Sequence, residues 1–200
     1  MKSIRILSLG DSYTYGEGVK PKERWPNQLS GLLERRGYIV QELRIIAKTG
    51  WTTGELSQAI IKAEITLTYD LVTLLIGVNN QYRGLPVYSY KNEFANLLNR
   101  SIVLAGSKSN HVLVLSIPDW SLTPFASNRD REKISKEIEM FNQVNREITK
   151  AAHSIYLDIT PITRKVQMDP SLLTDDGLHP SGRMYDAWAS RAFKSVLTML

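Results

Sequence analysis

The amino-acid sequence predicts an α/β fold in which a mainly parallel sheet of five strands carries helices on both faces. Short, strand-like apolar runs alternate along the chain with amphipathic segments of helical length. This alternation requires crossover connections, which make the strands parallel and place helices on the two faces of the sheet. No linker, repeat or low-complexity stretch interrupts the pattern, so we expect one domain over residues 1–200.

The five predicted strands are short apolar runs bounded by turn or loop residues. The first covers residues 3–9 and leads directly into Gly10-Asp11-Ser12. The third covers residues 71–76, a continuous, mostly apolar run that is typical of a parallel strand covered on both faces. The remaining strands are predicted at residues 40–47, 111–117 and 154–157.

The helices are predicted between these strands from the spacing of apolar residues. The first covers residues 25–36, because Leu29, Leu32 and Leu33 share one face and Gly37 is a typical stop signal. The second covers residues 53–65, with Thr53 as its N-cap. The others are predicted at residues 89–105, from about 129 to 152, and from about 181 onward.

Composition and charge narrow the classes of protein to which the chain can belong. An apolar share of 42% and a charged share of 22% over 200 residues are typical of a compact domain with a full core. The absence of cysteine excludes disulfides, thiol catalysis and most structural zinc sites. The net charge of +5 comes from basic residues interleaved with acidic ones, so we expect no nucleic-acid partner.

The sequence also lacks the patterns of membrane and secreted proteins. No apolar run reaches the length of a membrane-spanning helix, and the first strand is too short and too soon followed by Asp11 to be a signal peptide. We therefore expect a soluble, cytoplasmic protein without a membrane span. The oligomeric state stays open at this point.

Reactive side chains are concentrated in loops at one end of the predicted sheet. In open parallel sheets, ligands bind outside the carboxyl ends of the strands, where the strand order reverses. With the strand order 2-1-3-4-5, the reversal lies between the first and third strands, which lead to Ser12 and Asn79. The second strand leads to Gly50, and the fifth to the loop that holds Asp176 and His179. The predicted fold therefore brings these five residues to one edge.

Three of these residue types meet the needs of nucleophilic acyl transfer. A serine hydroxyl is a weak nucleophile until a neutral imidazole accepts its proton, and a carboxylate orients the imidazole and stabilises its charged form. Ser12, His179 and Asp176 can fill these catalytic roles. Asp175 is an alternative orienting acid.

The tetrahedral intermediate of such a reaction also needs donors aimed at its negatively charged oxygen. The candidates for this oxyanion hole are the backbone N–H groups of Ser12 and Gly50 and the side chain of Asn79. Side chains in the same loops are candidates for substrate binding, namely Asp11, Trp51, Asn80, Tyr82, Tyr88, Trp120 and Phe125. Only part of the aromatic set is expected to line the pocket, and Asp11 is interpreted as a structural hydrogen-bonding group rather than a catalytic acid. His111 and His153 are interpreted as structural.

In these blocks the sequence resembles the SGNH or GDSL-type hydrolases, named after a catalytic serine, glycine, asparagine and histidine. Gly10-Asp11-Ser12 is similar to the first block, Gly50 to the second, Gly77-Val78-Asn79 to the third and Asp176-Gly177-Leu178-His179 to the last. The resemblance covers the whole chain and implies a flavodoxin-like, three-layer α/β/α sandwich. It also implies a Ser-His-Asp triad and an oxyanion hole from Ser12, Gly50 and Asn79, acting on esters or thioesters without a metal or other cofactor.

Two residues depart from the pattern of this family. Tyr13 stands where the name of the family has leucine, and Asn80 stands where the third block usually has aspartate. The second departure removes a charge beside Asn79 and affects local hydrogen bonding rather than the catalytic assignment. The sequence alone therefore suggests that aspartate would be tolerated at position 80.

The predicted function is hydrolysis of a small-molecule carboxylic ester with a short acyl group, such as an acetyl ester, because no long apolar loop indicates a lipid tunnel. A lysophospholipase or thioesterase acting on longer acyl groups is an alternative, and a catalytically inactive interaction module stays open. A flavodoxin-like flavin-binding module is a further alternative, although Glu17 would repel the phosphate. An α/β-hydrolase is disfavoured because its nucleophile follows several strands. A phospho-acceptor domain would need an aspartate where Gly77 stands.

Overall fold

The computed structural model describes residues 2–200 and contains one five-stranded sheet. The strands are β1 (Ser3–Gly10), β2 (Ile39–Ala47), β3 (Leu71–Leu75), β4 (Val112–Leu115) and β5 (Ile155–Leu157). All neighbouring pairs are parallel, and the order is β2-β1-β3-β4-β5. The predicted fold class and strand order are confirmed.

Eight α-helices accompany the strands of this described part of the chain. They are α1 (Ser12–Tyr15), α2 (Trp25–Arg35), α3 (Thr53–Lys62), α4 (Val78–Tyr82), α5 (Val87–Leu104), α6 (Arg131–Ala151), α7 (Thr160–Thr163) and α8 (Gly182–Val196). Helices α2 and α8 pack against each other, whereas α5 contacts both α3 and α6. The sheet is therefore sandwiched between two helical layers, as the alternating pattern predicts.

The register of the central strands sets the position of the site. Gly10, the last residue of β1, lies opposite Ala47 of β2 on one side and Leu75 of β3 on the other. All five residues of β3 are buried, which agrees with its apolar sequence. Because three parallel strands end at one level, the loops that follow them meet at the same edge of the sheet.

The structure corrects the predicted start and end of α3. Its N-cap is Thr52 rather than Thr53, because the Thr52 hydroxyl accepts a bond from the N–H of Glu55 while the Glu55 carboxylate accepts from the N–H of Thr52 at 2.7 Å. This reciprocal pair is a capping box. The helix ends at Lys62, not at residue 65, and Glu64 follows with a left-handed φ of 42°.

Short helices are the elements that periodicity does not reveal. Helices α1, α4 and α7 contain too few turns for a periodic apolar stripe to show in the sequence. Two of them, α1 and α4, directly follow β1 and β3 at the edge where the reactive side chains lie. None of the helices in residues 2–200 combines the length and apolar character needed to cross a bilayer.

Candidate active site

Ser12 is the first residue of α1, directly after β1. Asp11 caps this helix, since its carboxylate accepts a hydrogen bond from the N–H of Tyr13 at 3.0 Å. Gly10 permits the tight connection, because a Cβ atom there would lie 2.3 Å from the Thr14 hydroxyl and 2.5 Å from the Leu75 carbonyl. The sequence thus fixes the Ser12 hydroxyl at the carboxyl end of the central strand, where it lines a cavity.

His179 and Asp176 form a hydrogen-bonded pair in the loop before α8. The Nδ1 atom of His179 lies 2.6 Å from Oδ2 of Asp176. An ionised carboxylate only accepts hydrogen bonds, so Nδ1 donates and Nε2 is left to accept a proton. The His179 side chain lines the same cavity as Ser12. Within residues 2–200, no hydrogen bond joins the Ser12 hydroxyl to His179, and such contacts are often loose before substrate binds.

Backbone and side-chain donors hold the Asp176 carboxylate in place. Its Oδ1 atom accepts the N–H groups of Leu178 and His179, both at 2.9 Å, and the hydroxyl of Thr174 at 2.8 Å. Burial raises the pKa of Asp176, but the hydrogen bonds from His179, Leu178 and Thr174 outweigh burial and lower the pKa to about 2. Asp176 is therefore a carboxylate throughout the neutral range. Asp175 makes none of these contacts.

The loop that carries this pair is itself tightly closed. Leu173 and Pro180 form an antiparallel bridge, and the N–H of Thr174 donates to the His179 carbonyl at 2.8 Å. Gly177 has a left-handed φ of 67°, and its carbonyl accepts the N–H of Phe125 at 3.1 Å. The His179 ring packs beside the ring of Tyr13, with 5.6 Å between centroids. These contacts fix the imidazole before any ligand binds.

The three candidate oxyanion donors surround the same cavity. Ser12 opens α1, and the N–H groups of a first helical turn have no partner inside the helix. Gly50 has a left-handed φ of 85°, and its carbonyl oxygen accepts a hydrogen bond from Nη2 of Arg83 at 2.5 Å. The side-chain amide of Asn79 donates one N–H to the Trp51 carbonyl at 2.9 Å, which leaves its second N–H for another acceptor.

Asn80 points away from this cavity and connects two helices. Its Oδ1 accepts the N–H of Thr53 at 3.1 Å, and its Nδ2 donates to the Thr53 hydroxyl at 2.7 Å. That hydroxyl in turn donates to the Glu93 carboxylate. Asn80 is 1% exposed, so this end of the relay is buried, whereas Glu93 at the other end is exposed. Asn80 therefore sets the position of α4 relative to the start of α3.

A cavity of about 220 Å³ is lined by two of the three candidate catalytic residues, Ser12 and His179. Its lining consists of Ser12, Tyr13, Thr49, Gly50, Val78, Asn79, Tyr82, Trp120, Phe125, Leu178 and His179. The structure thus places Tyr82 and Trp120 at the cavity, as the sequence suggests. Asp11, Trp51 and Asn80 do not line the cavity. Asp11 and Asn80 are buried, with 0% and 1% of their surface exposed. The part of these three residues in substrate binding stays a prediction.

Several residues at the site carry no signal in the sequence. Tyr13, Thr49, Val78 and Leu178 line the cavity, and only their proximity to the four blocks hints at this role. Tyr88, an aromatic candidate, lies outside the cavity and is 81% exposed. The imidazole of His111 contacts the Asp70 carbonyl at 2.8 Å, in keeping with a structural role.

Comparisons with known proteins agree with this architecture. A family model described as the GDSL-like Lipase/Acylhydrolase family matches residues 8–187. No curated protein sequence is a significant match. Among solved structures, the psychrotrophic esterase EstA from Pseudoalteromonas sp. shares 17% identity and a TM-score of 0.71, with 97% of each chain covered.

Two further solved structures are similar over nearly their full length. Axe2, an acetylxylan esterase from Geobacillus stearothermophilus, shares 17% identity and a TM-score of 0.72, covering 96% of this chain and 94% of its own. The acetyl xylan esterase AlAXEase shares 16% identity and a TM-score of 0.77, covering 96% and 100%. At these identities the structures establish the shared fold alone, whereas the family model spans most of the sequence. The chain therefore belongs to the GDSL-like lipase/acylhydrolase family and is an enzyme of the carboxylic ester hydrolase class.

Proposed function

We propose that the protein is a serine esterase in which Ser12, His179 and Asp176 form the catalytic triad, and that its substrates are small esters with short acyl groups. One observation carries this proposal. The Ser12 hydroxyl and the imidazole of the Asp176–His179 pair line a single small cavity, together with Gly50 and Asn79. This set supplies a nucleophile, an oriented base and oxyanion donors.

The geometry supports a two-step acyl transfer. His179 Nε2 accepts the Ser12 proton as Oγ attacks the acyl carbon, and the N–H groups of Ser12 and Gly50 with the Asn79 amide stabilise the resulting oxyanion. The intermediate collapses when His179 returns the proton to the leaving alcohol, which gives an acyl-enzyme on Ser12. Water, deprotonated by His179, then attacks the acyl group and restores the free serine.

The dimensions of the cavity support short acyl groups. The cavity has a volume of about 220 Å³. This volume suits an acetyl ester with part of its alcohol and lies below the roughly 300–1,000 Å³ typical of sites for drug-sized ligands. Axe2 and AlAXEase, both named as acetyl xylan esterases, share the fold, which agrees with this assignment.

Longer substrates are the second candidate. Tyr82 and Phe125 line the cavity but are 46% and 39% exposed, so the apolar lining continues to the protein surface. An acyl chain longer than the cavity can follow this surface outward, as a lysophospholipid or a thioester would require. The same small volume argues against an enclosed flavin ring system.

A covalent probe tests the proposed nucleophile. A fluorophosphonate should label the wild-type protein at Ser12, and Ser12→Ala should lose both labelling and turnover of an activated acetyl ester. Ser127→Ala, which removes an exposed hydroxyl near the cavity, is the matched control and should keep both. Attachment of the probe at a different serine would refute the mechanism. Rates on acetyl, butyryl and longer esters would then decide between the two substrate classes.

A further inference from the structure

Three aromatic side chains form one wall of the cavity. The rings of Tyr82, Trp120 and Phe125 contact each other pairwise, with centroid distances of 5.8 Å, 5.8 Å and 6.3 Å. We call this group the aromatic wall. Its members come from separate segments, namely α4, the loop after β4 and a following single helical turn. The three rings are therefore brought together by contacts between distant segments.

Arg129 holds the three rings together without lining the cavity. Its Cζ atom lies 5.0 Å from the centroid of Tyr82, 5.7 Å from that of Trp120 and 5.2 Å from that of Phe125. Its Nη2 atom also donates a hydrogen bond to the Tyr82 hydroxyl at 3.0 Å. Cation–π contacts of this kind are attractive even at exposed sites. One guanidinium therefore connects all three segments of the aromatic wall.

Gln81 fixes the orientation of the central ring. Its side-chain carbonyl accepts the indole N–H of Trp120 at 2.9 Å, and its amide donates to Glu137 of α6 at 2.8 Å. Gln81 is 6% exposed and lies two residues after Asn79 on α4. The ring of Trp120 is thereby held to the same short helix as the proposed oxyanion donor.

A ligand gains affinity when its binding face is ordered in advance, because the ordering entropy is not lost on binding. Tyr82 and Phe125 are partly exposed and would otherwise be free to change rotamer. Arg129 has no carboxylate within ion-pair distance among residues 2–200, so its hydrogen bond and ring contacts are directed to the aromatic wall.

We propose that Arg129 is a specificity-determining positioning residue that assembles the aromatic wall into a preformed binding face for the apolar part of the ester. The proposal rests on the proposed function, because it takes the cavity to be the substrate site. Arg129 acts through the three rings and does not touch the reacting atoms. Its removal should therefore change KM for substrates that reach the wall and leave kcat nearly unchanged.

Substitution at Arg129 tests this inference. Arg129→Met keeps the length of the side chain but loses its charge, whereas Arg129→Lys keeps the charge without the planar guanidinium. Two series of activated esters would be compared, one with acyl groups from acetyl to hexanoyl and one of acetate esters with alcohols of increasing size. Arg129→Met should raise KM for the larger members of one series about three- to fivefold, as expected when a cation–π contact at an exposed site no longer orders the rings before binding. Acetates of small alcohols should change less than about twofold.

The conservative variant and a matched control separate positioning from general damage. Arg129→Lys should recover part of the lost affinity, and Arg131→Met, at the neighbouring start of α6, should behave as the wild type. Melting temperatures would be recorded for each variant. Equal losses across all esters, a change confined to kcat, or no change at all would overturn the inference.

Binding measurements keep this test independent of turnover. Non-hydrolysable amides matched to the larger esters should bind the wild-type protein and quench or shift its tryptophan fluorescence, because Trp120 is in the wall. Arg129→Met should weaken that binding by a similar factor. If the amides bind the wild type and Arg129→Met equally, the inference fails even when the esters are hydrolysed. If no ester is hydrolysed while the amides respond as expected, the proposed function alone fails.

Discussion

Asp11 makes the stability of the protein depend on pH in a direction opposite to that of most carboxylates. Its side chain is 0% exposed, and its Oδ2 atom has no hydrogen-bond partner among residues 2–200. Burial raises the pKa of Asp11 to about 7, and the hydrogen bond from the Tyr13 N–H offsets only part of that effect. In the unfolded chain an aspartate titrates near pH 3.9. The folded protein therefore binds a proton more tightly at this position than the unfolded chain does.

The size of the effect follows from the difference between the two pKa values. Below about pH 4 both states are protonated and Asp11 makes no pH-dependent contribution. As the pH rises from about 4 to 7, the free energy of unfolding falls, because the unfolded chain releases its proton first. Three pKa units at 1.36 kcal/mol each give a total loss of about 4 kcal/mol, complete above the folded pKa.

Asp11→Asn isolates this contribution. The Asn side-chain oxygen can still cap α1, and the amide stays neutral at every pH. The unpartnered amide costs a constant amount, so the pH dependence is the informative quantity. Between pH 5 and pH 8, the variant should gain roughly 2–3 kcal/mol in free energy of unfolding relative to the wild type.

Urea unfolding at several pH values would measure this difference. Asp175→Asn, which removes one exposed loop carboxylate, serves as a control and should give a curve parallel to that of the wild type. Parallel curves for Asp11→Asn and the wild type would refute the reasoning, because they would show that Asp11 titrates alike in both states. A decrease in the relative stability of Asp11→Asn with rising pH would refute it as well.

Three further predictions concern the site. Asp176→Asn should lower kcat about 10²–10⁴-fold and Asp175→Asn far less, and equal losses in ester hydrolysis would contradict the assignment. Asn79→Ala should lower kcat about 10²–10³-fold with little change in KM, and a well-folded variant with normal kcat would remove Asn79 from the oxyanion hole. Asn80→Asp should lower the melting temperature, contrary to the tolerance that the sequence alone suggests, because it places a second carboxylate at Thr53, and adding Glu93→Gln should restore it. A single variant as stable as the wild type would show that the relay is not required.

The sequence suffices to predict features that depend on short stretches of chain. Ser12 can be located because an apolar run ends shortly before it, and Asp176 and His179 because their block resembles the last block of the GDSL-type hydrolases. Features that depend on contacts between distant segments cannot be predicted from such local patterns. The stacking of Arg129 on rings from other loops is one example, and the hydrogen bonds of Asn80 are another.

The start of α3 is a different case, because a local sequence signal identifies it. Thr52 and Thr53 are equivalent as N-caps by residue type, and only the reciprocal bond with Glu55 selects Thr52. The side chain of Thr53 is instead used in the contact with Asn80. Because Thr52 and Glu55 are only three residues apart, this capping box is a signal that the sequence itself carries, and the prediction of Thr53 overlooked it.

The relay from Asn80 through Thr53 to Glu93 has a consequence for engineering this enzyme. The hydrogen bonds of the relay all run in one direction. The Asn80 amide donates to the Thr53 hydroxyl, which in turn donates to the Glu93 carboxylate. Aspartate, the usual family residue at position 80, has no side-chain N–H to donate. Introduced alone, it would leave the Thr53 hydroxyl between two carboxylates that can only accept. Variants that introduce the usual family residue at position 80 should therefore change position 93 at the same time, although the two positions lie on different helices.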